Sequence, residues 1–342
     1  MTRLWTDGFE FQDMIGYCIA PLGSVQIDTA VKRSGAASAE FGRSGPIDSG
    51  WFSFNPGTVS EFYLRFGLNV TNASGLLGSW PYIEWRSGNS TLGYINFVNC
   101  NQVSIVSGGV RRDTGTTPLF VDVWYLFEVH VKLSATVGVV EVKLDGRSIL
   151  EASFSGNTGT GTIDIINFYQ IYSGLGDINT AFVDDLAFND TLGGVDDSWC
   201  GEGKIIVMKP NDDSAPLELT PSAAVHHHLL VDEVPTDSDT TYVEGSVVDE
   251  EDMYKLTPSG LVDVDINRVW TEARTRKTTA TDGHVALITK AAGGAEVSGG
   301  DKELLTTYSL KILGAEELIN PVDSNPWEIA DIDLIEIGPR TR

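Results

Sequence analysis

Three carboxylate side chains near the end of the chain have a spacing that could support catalysis. Asp331, Asp333 and Glu336 fall within six residues, and on a bulged β-strand all three would point toward one cleft. Two carboxyl groups at a suitable separation can hydrolyse a glycosidic bond. An aspartate at the first position, however, shortens the nucleophile by one methylene, and few residues follow to build a cleft. We therefore expect the solvated face of a strand here.

A run of three histidines is the second candidate. His226, His227 and His228 are adjacent, and imidazole is a common metal ligand. On a strand, the first and third rings would share one face and the second would point away, so the three would not converge on one ion. We expect a solvated strand start, or a stacking surface at a subunit contact, in preference to a metal site.

Aromatic residues in the first half of the chain form the third candidate. The group consists of Trp80, Tyr82, Trp85 and Tyr94. The CH faces of pyranose rings stack on tryptophan and tyrosine, so these residues could form a glycan-binding platform. The competing interpretation is that strand alternation buries Tyr82 or Trp85 in the core.

The composition indicates a folded and strongly acidic chain. Of 342 residues 42% are hydrophobic, and 23 Lys and Arg stand against 48 Asp and Glu, for a net charge of −25. This charge argues against nucleic-acid binding, which needs a basic surface, and leaves acidic loops that could bind divalent cations. No segment has the pattern of a membrane helix or a signal peptide. Cys18, Cys100 and Cys200 are odd in number and far apart, which predicts free thiols in a reducing compartment.

Short β-strands are the elements that must position these residues. Apolar and polar residues alternate over 61–70 and 125–133, which predicts strands with one side on a core and the other near water. Residues 139–144 and 147–154 flank Asp145-Gly146, a pair that favours positive φ and predicts a two-residue hairpin.

The whole pattern predicts an all-β protein with two β-sandwich domains. The chain is longer than one sandwich normally requires. Residues 191–199 are polar and contain glycine, as linkers do, so the expected domains cover 1–190 and 200–342. In the second half, strands are predicted over 204–209, 227–232, 241–243, 262–269, 306–313 and 328–337, with one short helical turn possible within 223–230.

Sequence motifs in the first domain are similar to those of a known fold. A strand led by Trp124 is followed by V-x-V-x-L-D-G at 140–146 and V-D-D-L at 183–186. This order resembles the concanavalin A-like or laminin G-like jelly roll. The opening D-G-F-E at 7–10 is similar to the start of laminin G-like proteins encoded by tailed bacteriophages.

The second domain has a resemblance of its own. W-C-G-E-G at 199–203 and N-P-W-E at 325–328 are among its motifs, and the series resembles an uncharacterised module of phage virion proteins. Together the two resemblances cover nearly the whole chain.

The resemblance to the jelly roll also implies a metal site. Many sandwich carbohydrate-binding modules hold a structural calcium ion between the first and last strands, and Asp7, Glu10 and Asp184 or Asp185 occupy the matching positions. The alternative is that the two adjacent aspartates belong to a polar strand face and Asp7 to a turn. No other cofactor is expected.

The resemblances imply a non-enzymatic structural component of a phage particle. It would be a tail, tail-tip, neck or capsid-decorating protein, assembled in the host cytoplasm and exposing β-sandwich domains on the virion. The expected partners are other virion proteins and further copies of the chain, without nucleic-acid binding or membrane insertion. A glycan-binding module for host adsorption is the first alternative. A glycan depolymerase that depends on residues 331–336 is the second.

Overall fold

Two compact units make up the chain, Met1–Ile206 and Val207–Arg342. The structure, a computed structural model, describes residues 3–12, 14, 18–19, 24–42, 50–72, 82–98, 102–169, 179–192, 196–279, 282–292, 294, 296–312 and 319–342. Nearly all regular structure in these ranges is β-strand, which confirms the predicted fold class. The linker predicted over 191–199 stays a prediction.

In the described part of the first unit, antiparallel strands form two sheets. The strands are β1 Arg3–Asp7, β2 Cys18–Ile19, β3 Ser24–Asp28, β4 Ser38–Gly42, β5 Trp51–Phe54, β6 Glu61–Asn72, β7 Tyr82–Ser87, β8 Ser90–Val98, β9 Gln102–Ser107, β10 Val110–Thr114, β11 Tyr125–Lys132, β12 Gly138–Leu144, β13 Ala152–Gly156, β14 Ile165–Tyr169 and β15 Asn179–Asp190. The eight-stranded sheet has the order β13-β12-β11-β6-β15-β4-β3, with β1 paired to β15. The seven-stranded sheet has the order β10-β9-β8-β7-β14-β5-β2.

Aromatic contacts between the two sheets define a β-sandwich. The ring of Phe66 in β6 meets that of Phe168 in β14 edge to face at 5.2 Å. Phe188 in β15 meets Phe54 in β5 in the same way at 5.6 Å. Edge-to-face packing is favourable because the positive edge of one ring faces the negative face of the other. The first unit is therefore a jelly-roll sandwich with one continuous apolar core.

The predicted alternation correctly identifies the core side of the two central strands. The apolar residues are at most 1% exposed in β6 and at most 9% exposed from β11 to Leu133. They are Phe62, Leu64, Phe66, Leu68 and Val70 in the first set and Tyr125, Phe127, Val129, Val131 and Leu133 in the second.

The other side of β11 was predicted to lie near water, and this was wrong. Glu128 is 4% and His130 8% exposed, because residues 199–205 return across this face of the sheet. The ring of His130 stacks on Tyr63 at 4.2 Å and meets the edge of Trp199 at 5.9 Å. The backbone N–H of Gly201 donates to Glu128 Oε1 at 2.7 Å.

The turn after β12 partly follows the sequence prediction. Asp145 and Gly146 have φ values of 50° and 64°, as their residue types favour. The Arg147 N–H donates to the Leu144 carbonyl at 3.2 Å and closes the turn. The next strand, however, begins only at Ala152, so the connection is longer than two residues.

In the described part of the second unit, most strands belong to one antiparallel sheet. The elements are β16 Pro210–Leu217, β17 Thr220–Pro221, a 3-10 helix His227–Leu230, β18 Val243–Glu244, β19 Asp252–Leu256, β20 Glu272–Thr275, β21 His284–Lys290, β22 Glu296–Ser298, β23 Lys302–Glu303, β24 Ser309–Ile312, α1 Ile329–Ile332 and β25 Glu336–Thr341. The main sheet has the order β16-β19-β25-β21-β22, with β23 paired to β21, and β17-β18 and β20-β24 form small sheets. No helix in the described ranges is long and apolar enough to cross a membrane.

Strand β21 is buried on both faces. Ala286 and Ile288 pack with Met253 of β19 on one face. Val285 and Leu287 form the other apolar face, against which Ala273 of β20 packs. The second unit is therefore layered around its main sheet.

Several strands predicted in the second half are absent. Residues 204–209 form no strand; the strand begins at Pro210, a residue that fits the start of the edge strand β16 because it has no N–H to pair. Residues 262–269 form no extended strand: Ile266 makes a bridge with Trp327, and Val269 is also a bridge residue. The helical turn expected within 223–230 is present at His227–Leu230.

Candidate functional site

The outer face of the seven-stranded sheet carries polar and aromatic side chains from four neighbouring strands. The residues that alternate with them point into the core and are at most 1% exposed: Phe52, Phe54, Ile83, Trp85, Ile95, Ile166 and Phe168. Because successive side chains point to opposite faces, the outer set is determined by this register. We call it the polar-aromatic face: Trp51, Glu84, Tyr94, Asn96, Asn167 and Tyr169.

Strand register places a carboxylate and an amide at the centre of the polar-aromatic face. Glu84 lies opposite Asn167 on one side and Tyr94 on the other. Asn167 Nδ2 donates to Glu84 Oε2 at 2.8 Å, and the Thr91 hydroxyl donates to Glu84 Oε1. Tyr169 lies opposite Trp51 on the adjoining strands. Tyr94 thus lies beside the polar pair on one side, whereas Ser53 lies opposite Asn167 on the other.

One polar atom of this face is buried without a partner. Asn96 Oδ1 is inaccessible to water and accepts no hydrogen bond from the described residues, although Asn96 lies two residues from Tyr94 on the same side of β8. An unsatisfied buried acceptor costs about 1–3 kcal/mol. Because this oxygen is out of reach of water, it is out of reach of a ligand hydroxyl in this arrangement as well.

The chemistry of the polar-aromatic face suits a polyhydroxylated ligand. Carboxylate and amide oxygens accept hydrogen bonds from hydroxyls, and the amide N–H₂ group donates to them. Half-buried Tyr94, Tyr169 and Trp51 offer aromatic surface beside these groups, on which the CH face of a sugar ring could pack.

The aromatic group predicted from the sequence is only partly found on this face. Tyr94 belongs to it. Trp85 is 1% exposed and lies in the core, so its ring is unavailable for stacking, in agreement with the competing interpretation. The side chain of Tyr82 and all of Trp80 lie outside the described residues. Sequence analysis missed Glu84 and Asn167, although the alternation Ile83-Glu84-Trp85 contained the signal.

The predicted calcium ligands form two environments in the first unit. Asp184 and Asp185, both fully buried, hold the loop after β3. Asp184 Oδ2 accepts the backbone N–H groups of Arg33 at 2.8 Å and Ser34 at 3.0 Å. Asp185 Oδ2 accepts Arg33 Nη1 at 2.5 Å, and its Oδ1 accepts the Ile205 N–H at 2.7 Å. The guanidinium of Arg33 thus already neutralises Asp185.

Among the four predicted calcium ligands, Glu10 has the carboxylate whose surroundings best suit a bound cation. It is 4% exposed; Oε2 accepts the Ala36 N–H at 2.6 Å, while the buried Oε1 has no hydrogen-bond partner among the described residues. Burial, with the charge of Asp184, raises the pKa of Glu10 to about 7. Burial, with the charge of Asp185, raises that of Asp184 to about 7. Gly35, with φ of 58°, allows the Glu10 carboxylate to approach its backbone closely, because a Cβ there would lie 2.0 Å from Glu10 Oε1.

Glu10 and Asp184 are therefore the side chains that would hold calcium. Asp7 Oδ1 accepts the Phe9 N–H at 2.6 Å and closes a turn, as the alternative interpretation expected. All four predicted calcium ligands lie in the described ranges. Among them, no set of three carboxylates brings its oxygens within 4.8 Å of one another. Backbone carbonyls and water would have to supply the remaining ligands. Calcium binding stays a prediction.

The three histidines do not begin a strand. His227 and His228 start the 3-10 helix, and His226 precedes it. The rings of His226 and His228 both contact Asp213, whereas His227 contacts Asp252. Burial alone would raise the pKa of Asp213, but hydrogen bonds from His228, His226 and the His227 backbone outweigh it and lower this pKa to about 2.

The carboxylates of residues 331–336 do not share a strand, which corrects the prediction. Glu328 and Asp331 cap α1 reciprocally, and this local pairing makes residues 329–332 helical. Asp333 Oδ1 accepts the Ser259 N–H at 2.7 Å, while Glu336 Oε1 accepts the Ser214 hydroxyl at 2.6 Å. Each carboxylate is used by a different neighbour.

Cys200 is the one cysteine whose side chain falls in the described ranges. It forms no disulfide, and its Sγ lies 3.6 Å from the Ala187 carbonyl oxygen and 3.7 Å from that of Tyr63.

Comparison with known proteins gives a likeness of fold. No family model and no curated protein matches the sequence. Similar solved structures include the cellulose-induced protein Cip1, at 19% identity over 58% of this chain and 100% of that one, with a TM-score of 0.44. Lectin II from Ulex europaeus matches at 7% identity over 51% and 92% of the two chains, with a TM-score of 0.39.

A catalytic domain is also among the similar solved structures. The catalytic domain of a glycoside hydrolase family 131 protein from Coprinopsis cinerea matches at 14% identity over 58% of this chain and 98% of that one, with a TM-score of 0.41. The expectation of a non-enzymatic protein is thereby contradicted.

Proposed function

We propose that the first unit recognises glycans through the polar-aromatic face. The supporting observation is the row Asn167–Glu84–Tyr94, in which a hydrogen-bonded amide and carboxylate lie beside an aromatic residue on adjacent strands. Hydroxyl groups of a sugar would bond to the polar atoms while one face of its ring packs on an aromatic residue.

A glycan array probed with the full chain tests this proposal. We expect Tyr94→Ala and Asn167→Ala each to weaken binding of the best ligand about tenfold, the equivalent of about 1.4 kcal/mol for one lost contact. Phe120→Ala is the matched control, because Phe120 is 64% exposed in the same unit and lies outside the face. Binding to no glycan, or equal binding by all three variants, would contradict the proposal.

Glu84→Gln separates binding from catalysis on the same face. Glutamine keeps one oxygen that can accept from Asn167 Nδ2, and its N–H₂ group can donate to the Thr91 hydroxyl, so the variant should retain glycan binding to within a few-fold. If wild-type protein releases sugar from a bound polysaccharide, a two-carboxylate mechanism requires the charge at such a position, and Glu84→Gln would stop release without abolishing binding.

As a second proposal, the chain is a component of a phage particle that presents this face to the host surface. Its support is the sequence resemblance of D-G-F-E at 7–10 and of the motifs between 199 and 328 to phage proteins. Other virion proteins and further copies of the chain would be its partners. Mass spectrometry of gradient-purified virions should detect the chain at constant stoichiometry to a major structural protein; its loss during purification would contradict virion assembly.

A further inference from the structure

Two histidines of the second unit converge on one carboxylate. His226 Nδ1 lies 3.0 Å from Asp213 Oδ2, and His228 Nδ1 lies 3.0 Å from Asp213 Oδ1. The ligand atoms of these three residues all lie within 4.8 Å of one another. Residues separated by thirteen and fifteen positions are thus brought together by β16 and the start of the 3-10 helix.

Neighbouring groups hold this arrangement in place. The backbone N–H groups of His228 and His227 donate to the Asp213 carboxylate at 2.7 Å and 3.2 Å. The intervening His227 ring is anchored by a different carboxylate, with its Nδ1 2.6 Å from Asp252 Oδ2. Asp252 is fully buried and also accepts the Tyr254 hydroxyl at 2.9 Å. The histidine segment is therefore fixed at its centre, with its outer two rings directed to Asp213.

The two imidazole-to-carboxylate distances, 3.0 Å each, are close to the distance between ligand atoms in a tetrahedral metal site. Zinc binds nitrogen at about 2.0–2.1 Å and carboxylate oxygen at about 2.0–2.2 Å, which places adjacent ligand atoms about 3.3 Å apart. Each Asp213 oxygen has about two acceptor sites; one accepts a backbone N–H and the other faces an imidazole. Slight separation of the rings from the carboxylate would admit an ion.

We propose that Asp213, His226 and His228 bind a divalent transition-metal ion of the zinc class. Two imidazole nitrogens and one carboxylate oxygen suit zinc and its late first-row neighbours, whereas calcium and magnesium prefer oxygen ligands throughout. The His226 side chain is 72% exposed, so water can complete the coordination. The net charge of −25 favours the approach of a cation.

Zinc titration of the full, metal-stripped chain against a chromophoric chelator tests this site. We expect one ion per chain. Loss of a direct ligand in His226→Ala or Asp213→Asn should weaken binding by more than about 100-fold, beyond the about 10- to 100-fold cost of losing a supporting residue. Cobalt(II) at the same site should show the visible absorption of a tetrahedral ion, and this absorption should be lost in both variants.

His284→Ala is the matched control, because His284 lies on β21 in the same unit and is not one of the three ligands. It should bind zinc like the wild type. Exposed His226 is the substitution that least disturbs folding, and a thermal melt in chelator will show whether each variant is folded. No saturable binding by the wild type, or undiminished affinity in His226→Ala, would overturn the proposal.

Discussion

At the scale of single residues, the buried carboxylate of Glu10 lowers the free energy of unfolding when it is ionised. The pKa values of Glu10 and Asp184 rise from their ordinary 4.5 and 3.8 to about 7 in the folded state. At any pH between the ordinary and the raised value, each group therefore binds more protons in the folded than in the unfolded state. Stability then decreases as pH rises through this window, because the slope of unfolding free energy with pH follows the protons bound by the unfolded state minus those bound by the folded state.

We therefore predict that, in chelator, the first unit loses stability from about pH 4 to about pH 8. Glu10→Gln should recover on the order of 3 kcal/mol at the upper end, since the pKa of Glu10 rises from 4.5 to about 7 and each unit corresponds to about 1.4 kcal/mol. Saturating calcium should stabilise the wild type at neutral pH, by about 2.7 kcal/mol at 100 times its dissociation constant, and should not stabilise Glu10→Gln. Denaturant titrations across pH measure both effects.

Exposed Glu202 supplies the control for this prediction. Glu202→Gln should retain the wild-type pH dependence and the wild-type response to calcium. Calcium and chelator could give the same unfolding curve while Glu10→Gln still flattens the pH profile. This result would confirm the raised pKa values of the buried carboxylates and contradict calcium binding.

At the scale of elements, alternation predicts strands well where one face meets a large core. Apolar residues recur at every second position around Phe66 in β6 and around Phe127 in β11, and both rings lie in the core as expected. Alternation shows only that two faces differ, however. It could not show that the residues between them in β11 would be covered by residues 199–205, because that contact joins parts of the chain far apart in sequence.

The same limit explains the glycan platform and the carboxylate trio. Residue type suggested Trp85 as a sugar-stacking group, whereas its position between Glu84 and Arg86 determines that it faces the core. For residues 331–336, the alternating pattern predicted a strand, whereas the reciprocal cap between Glu328 and Asp331 begins a short helix. Sequence predicts residue chemistry in such places, but the partner that uses each side chain is decided by tertiary contacts.

At the scale of the whole molecule, the position at which the first unit ends can be tested by truncation. The sequence predicts a domain ending at residue 190, whereas the compact unit extends to Ile206. Residues after the predicted end contact the sheet closely. Ile205 is 7% exposed and its backbone N–H donates to Asp185, and the Gly201 N–H donates to Glu128. The Lys143 ammonium lies 3.8 Å from the centre of the Trp199 ring.

We predict that a fragment of residues 1–206 unfolds with the stability of the first unit in the full chain, and that a fragment of residues 1–190 is weaker by at least about 3 kcal/mol. Burial of one isoleucine side chain contributes about 1.5–3 kcal/mol, and the shorter fragment also leaves Asp185 and Glu128 without their backbone donors, which adds to the cost. Urea titration of both fragments, followed by tryptophan fluorescence, measures the difference. Equal stabilities would mean that residues 191–206 only rest on the sheet and that the domain ends where the sequence predicts.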